Sequence, residues 1–131
     1  MATPGDVNFK PEIFRKDFPQ LIAKSMSRLV TMPVRLGYNS AGYPQGQVLA
    51  RDPADGLYKK YDDAGGSGVN TAVCVLADAV TDLESSGTKL AVGIVHGELY
   101  NAALTGMDAN GKTDVGGRTY TEADGTVIFS F

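Results

Sequence analysis

The sequence predicts a mainly β (α+β) fold: a small barrel-like or tulip-like β body with short helical segments and an extended N-terminal arm. Three observations lead there. From Gly46 to the C-terminus, short apolar runs alternate with clusters of glycine, proline and aspartate, the spacing of strands and turns. The chain carries 16 glycines and no tryptophan in 131 residues, a composition that favours turns and short strands. The first dozen residues, MATPGDVNFKPE, mix proline, glycine and polar groups around a lone Phe9, the pattern of an extended arm. A chain of this length makes about one domain with a modest core. We divide it into an arm over 1–34, with an amphipathic helix at 17–30, and a compact β-rich body over 35–131.

Each element has a local reason. Asp17 is placed to cap a helix, with Pro19 in its first turn and Gln20 three residues after the aspartate. Phe14, Phe18, Leu21, Ile22, Met26 and Leu29 then recur at helical spacings, giving one apolar side that either packs on the body or docks on another chain. Beyond Pro33–Tyr43 the period becomes strand-like. GQVLAR is a strand, DPADG a turn, and LYKKYD a returning strand on which Tyr58 and Tyr61 face opposite sides, so a hairpin is expected. DAGGSGVN is a connection, and TAVCVLADAV is a continuous apolar run of the buried-strand kind. TKLAVGIVHGELY and GTVIFSF supply further β-branched segments, and NAALTGM has the helix formers for a turn or so of helix. DANGKTD reads as a polar hairpin loop.

Charge and composition narrow the function classes. The net charge of −3 hides a split: residues 1–35 hold six basic and three acidic side chains, and the remainder six basic and twelve acidic. A basic head on an acidic body can mark a nucleic-acid arm, but no run of adjacent Lys or Arg exceeds two, and an acidic protein surface is the more economical partner. No basic start leads into an apolar signal core, and no apolar run reaches the roughly 18 residues of a spanning helix, so neither secretion nor membrane insertion is expected. Cys74 is the only cysteine, so no internal disulfide supplements the core, which fits a reducing cytosol.

The residues that invite chemistry are few. GMDANGKT, Gly106–Thr113, matches the phosphate-loop pattern letter for letter, with Lys112 as counter-charge. Its context argues against that reading: DVGGRTY follows where a helix should begin, and Asp108 would repel phosphate. His96 is the only histidine and has Glu98 on the same face of an uninterrupted strand, too few ligands for a metal, so it reads as structural. Cys74, between valines, reads as a small core residue. Asp62 and Asp63 sit in a glycine-rich turn and read as solvated loop charges; Tyr58, Tyr61, Tyr100 and Tyr120 read as amphipathic rim residues of the core. No catalytic residue, cofactor or metal is assigned. A turn-rich β framework joined to a partly apolar arm of opposite charge suits binding to a larger surface.

The order GQVLARD, GLYKKYD, a glycine-rich link into AVCVLADAV, then VGIVHGELYNAALT, resembles the lambda-type bacteriophage head decoration proteins over residues 46–105. That resemblance implies a capsid-stabilising (cement) protein made in the host bacterial cytoplasm. It implies homotrimers at threefold positions on the outer capsid surface, and an arm that orders on the phage major capsid protein. Within that reading the arm's anchors are Phe9, Phe14 and Phe18, and Lys10, Arg15 and Lys16 steer it toward an acidic coat surface. Neither nucleic acid nor membrane is among the expected partners. The alternatives are a small nucleotide-binding protein or enzyme using GMDANGKT, and another phage adaptor of the tail or fibre.

Overall fold

The computed structural model describes residues 21–23, 29–66, 68–81 and 87–131. Among these, eight strands are present: β1 (Val30–Leu36), β2 (Val48–Arg51), β3 (Tyr58–Lys60), β4 (Ala72–Leu76), β5 (Lys89–His96), β6 (Glu98–Tyr100), β7 (Arg118–Thr121) and β8 (Val127–Ser130). The first five close into a barrel in the order β1-β3-β2-β4-β5, and the others form a separate sheet in the order β6-β8-β7. β1 runs antiparallel to β5 from Val30↔His96 to Leu36↔Lys89. Closure rests on the parallel pairing of Leu36 with Tyr58, beside which the Gly37 N–H donates to the Tyr58 carbonyl at 2.9 Å.

The expected barrel-like β body is therefore present, and its core explains why the strands read as they do. Val34, Leu36, Leu49, Cys74 and Leu76 come from β1, β2 and β4 and meet in one cluster, which side chains of those strands can do only inside the barrel. Tyr43 and Val80 join them, and the buried Tyr43 hydroxyl donates to the Gly37 carbonyl at 2.6 Å. Val48, Ala50, Val75 and Ile94 point to the other side, where Leu99, Phe129 and Phe131, with Leu21 and Ile22, cover them. β4 is thus apolar on both faces, as its unbroken run predicts. A register shift beside Leu49/Ala50 moves the partner from Cys74 to Ala72, which places Ala72 in the second cluster although it lies two residues from Cys74.

The GQVLAR/LYKKYD hairpin forms as read, with Leu49↔Lys60 through Arg51↔Tyr58 in register. Its turn is held by side chains as well as backbone. Asp52 Oδ1 accepts the Ala54 N–H at 2.9 Å, and Lys59 Nζ donates to Asp52 Oδ2 at 2.8 Å and Asp55 Oδ2 at 3.0 Å. Lys59, then the Ala54 amide, hold the Asp52 carboxyl below its ordinary 3.8; the Leu57 amide, then Lys59, do the same for Asp55. A carboxylate with a depressed folded-state pKa stabilises above its unfolded value and loses that contribution as pH falls through the folded one. Lys59→Met should accordingly lower the melting temperature slightly near neutral pH, and the gap to the parent should close as the pH drops below 3.8. A gap of constant size down to strongly acid pH would show that the lysine acts by packing alone.

Three segments depart from the sequence reading. Residues 109–114, expected as a hairpin loop, form helix α1 (Ala109–Asp114). Asp108 caps it by accepting the Gly111 N–H, and its end is a paired-glycine stop: Gly116 N–H to Thr113 O at 3.0 Å and Gly117 N–H to Lys112 O at 2.8 Å, with Gly116 at φ +70°. Gly117 also lies so close to the Phe129 ring that a Cβ there would collide with it. The run TKLAVGIVHGELY is two strands, because the chain changes sheets at Gly97, which exchanges hydrogen bonds with Phe131 at 3.2 and 3.1 Å. In the stretch read as a helix at 17–30, Ile22 makes a β-bridge to Leu99 and Val30 opens β1, so the helical pattern does not hold at those positions; 17–20 and 24–28 lie outside the described residues. NAALTGM does contain one 3-10 turn at Asn101–Ala103, and β7 and β8 form a C-terminal hairpin.

Candidate functional site

The place where the N-terminal residues meet the body is the most defined binding feature. Leu21, Ile22 and Ala23 are consecutive, apolar and buried. Ala23 donates its N–H to the Glu98 carbonyl at 2.9 Å, and Tyr100 donates to the Leu21 carbonyl at 2.9 Å, so the three residues lie antiparallel along the free edge of β6. Edge pairing satisfies backbone groups that β6 would otherwise leave open, while Leu21 and Ile22 enter the cluster with Leu99 and Phe129. Leu21–Ala23 are therefore fastened to the body at one sheet edge. Of the residues assigned to capsid binding, Phe9, Lys10, Phe14, Arg15, Lys16 and Phe18 all lie outside the described residues, immediately before this anchor. The anchor itself was missed because three contiguous apolar residues fit a helical face as well as a buried strand; the unbroken run, with β-branched Ile22 at its centre, was the available signal.

The residues with chemical potential are placed apart and put to structural use. Cys74 is fully buried in the barrel, and burial pushes its thiol up to about 12, which keeps it protonated and unreactive. His96 is exposed at the end of β5 opposite Val30, not buried in the body. Because the chain changes sheets at Gly97, Glu98 belongs to β6, where its Oε2 accepts the Tyr120 hydroxyl at 2.6 Å.

The GMDANGKT segment has the wrong shape for a phosphate. Asp108 Oδ1 takes the Gly111 N–H at 2.7 Å and the Tyr61 hydroxyl at 2.8 Å, so the protein's own carboxylate occupies a backbone donor a phosphate would need and sets its negative charge there. The Gly111 amide, then the Tyr61 hydroxyl, hold Asp108 below its ordinary range, while burial and then Asp108 push the Tyr61 phenol up. Lys112 Nζ sits 6.0 Å from the centre of the Phe129 ring. Asn110 Nδ2 donates to Asp63 Oδ2 at 2.7 Å, and Asp114 Oδ2 accepts the Ala72 N–H at 3.0 Å. Together these contacts make a clasp between α1 and the chain joining β3 to β4. Asp62 caps its own turn through the Ala64 N–H at 3.0 Å. Among the described residues, no three His, Cys, Asp or Glu side chains gather as a metal site, and no helix is long and apolar enough to cross a membrane.

A β body whose polar side chains brace turns and helix ends, with Leu21–Ala23 fastened along one sheet edge, has the build of a structural binding module. Comparison with protein families gives that class a particular identity: residues 30–116, 87 of the 131, match the family described as bacteriophage lambda head decoration protein D, and the chain belongs to it. It is thus a head decoration protein, a structural component of a phage capsid. No curated protein and no solved structure matches the chain. The matched span opens with β1 and ends just after α1, so the Leu21–Ala23 anchor and the β7–β8 hairpin lie outside it.

Proposed function

We propose that this protein binds the outer surface of an expanded phage head as a homotrimer and stabilises it through the residues preceding Leu21. What carries the reading is the β6 anchor of a decoration-family body: Leu21–Ala23 fix where the preceding residues, with Phe9, Lys10, Phe14, Arg15, Lys16 and Phe18 among them, join an acidic body. Phe9, Phe14 and Phe18 fill pockets on the major capsid protein, and Lys10, Arg15 and Lys16 speed the encounter with its acidic surface. A segment that orders on contact gives up conformational entropy, so a single arm binds weakly. Joining three arms in a trimer makes the second and third attachments intramolecular, which raises avidity by about 10²–10⁴. Such a trimer cross-links several coat subunits and resists the outward strain of a packaged genome.

Mixing the purified protein with expanded, undecorated heads, then imaging them, tests the reading. Added density at the threefold positions, together with a light-scattering mass of three chains for the protein on or off the head, is the expected result. Density confined to a tail or fibre attachment point, or no density on heads, would reject it.

A further inference from the structure

Asn110 is followed by Gly111, and an Asn-Gly pair is open to intramolecular attack because glycine presents no side chain to block the approach. We propose that Asn110 is a site of spontaneous deamidation and that the Asp108 cap of α1 is the lock that sets its rate. In the reaction the Gly111 nitrogen attacks Asn110 Cγ. An N–Cγ bond forms, the nitrogen's proton passes to solvent, the Cγ–Nδ2 bond breaks and ammonia leaves. Water then opens the cyclic imide: cleavage at Cγ yields aspartate, and cleavage at the main-chain carbonyl yields isoaspartate. The protein supplies both reacting atoms and solvent supplies the water.

The folded structure restrains each reactant. Gly111 is buried and its N–H is held by Asp108 Oδ1 at 2.7 Å, so the nucleophile is occupied. Asp108 is itself steadied by the Tyr61 hydroxyl at 2.8 Å. The Asn110 carboxamide is turned toward Asp63, to which it donates at 2.7 Å, and α1 keeps Asn110 in the helical range of ψ, near −42°, out of line for attack. Reaction therefore needs a local opening of the clasp. Once it occurs it cannot be undone by reclosing. Aspartate at this position sets a carboxylate against Asp63 where an amide donor stood, and isoaspartate adds a backbone carbon inside α1. Either product pushes the clasp toward its open form, so the GMDANGKT segment acts as a slow covalent record of local opening.

Peptide mapping of the purified chain during prolonged incubation at mildly alkaline pH, with mass and isoaspartate detection at Asn110, reads the rate. The expected order is a free peptide of residues 106–117 fastest, folded Asp108→Ala and Tyr61→Phe intermediate, and the parent slowest. Each variant should react roughly ten- to a hundredfold faster than the parent, the range set by losing a hydrogen bond to a charged group. Tyr61→Phe keeps the ring and its packing, so it carries the test if Asp108→Ala does not fold. A parent rate equal to that of the peptide, or a rate unchanged in the folded variants, overturns the proposal.

Discussion

Removal of residues 2–16 should abolish attachment to expanded heads, a loss of more than about 100-fold in binding, while the far-UV circular dichroism and melting temperature stay at parental values. The deletion takes Phe9, Lys10, Phe14, Arg15 and Lys16 and stops short of Leu21, so the hydrogen bonds from Ala23 to Glu98 and from Tyr100 to Leu21 survive. The hydrogen bonds and apolar contacts described for the barrel and its covering sheet all lie outside the deleted residues. A longer deletion through Ala23 behaves differently: it strips Leu21 and Ile22 from the core and uncovers the β6 edge, at about 2–5 kcal/mol for each large aliphatic side chain removed. Co-sedimentation with heads and thermal melts of both deletions separate the two effects. Full head binding by the shorter deletion would refute the role given to the N-terminal residues.

Phe129→Ala should destabilise the body by about 3–5 kcal/mol, with a fall in melting temperature of the order of 10–20 °C. The side chain is fully buried at the centre of the small sheet, where Phe129 pairs with Leu99 on β6 and Thr119 on β7 and faces the barrel. Its ring is stacked on Phe131 at 5.1 Å between centroids, lies against Gly117 and stands under Lys112. Truncation leaves a void bordered by the barrel, the sheet and the end of α1, three elements that cannot all collapse into it. Against a typical total of roughly 5–15 kcal/mol, the loss brings the protein close to unfolding. Chemical denaturation that showed less than about 1 kcal/mol of change would mean that the sheet is not a working part of the core.

Much of this body is legible in its residues. VLAR and YKK are joined by a turn whose aspartates and glycine announce it, and AVCVL is apolar throughout because both its faces are covered. The order of those strands also carried the family resemblance, which the match over 30–116 upholds. The errors share a cause. ANGKTD has weak intrinsic helix propensity, and it becomes α1 because Asp108 before it and Gly116 after it satisfy its end groups while Tyr61, Asp63 and Ala72 hold its sides. Those partners are remote in the chain. The phosphate-loop lettering of the same residues is accidental for the same reason, since a carboxylate two residues from the motif's start takes the Gly111 amide it would need.

The sequence by itself determined the strands, the turns, and the contrast between a basic head and an acidic body, because alternation, glycine placement and charge act over a few neighbouring residues. Only the tertiary structure decided that Ile22 bridges to the edge of β6 instead of continuing a helical pattern. It also decided that the chain changes sheets at Gly97, and that a polar hexapeptide is helical. Each of those choices is made by hydrogen-bond partners and apolar contacts far away along the chain, such as Leu99 for Ile22, Phe131 for Gly97 and Tyr61 for Asp108. Local propensity differs by tenths of a kcal/mol per residue, and a buried side chain or a satisfied backbone group outweighs it.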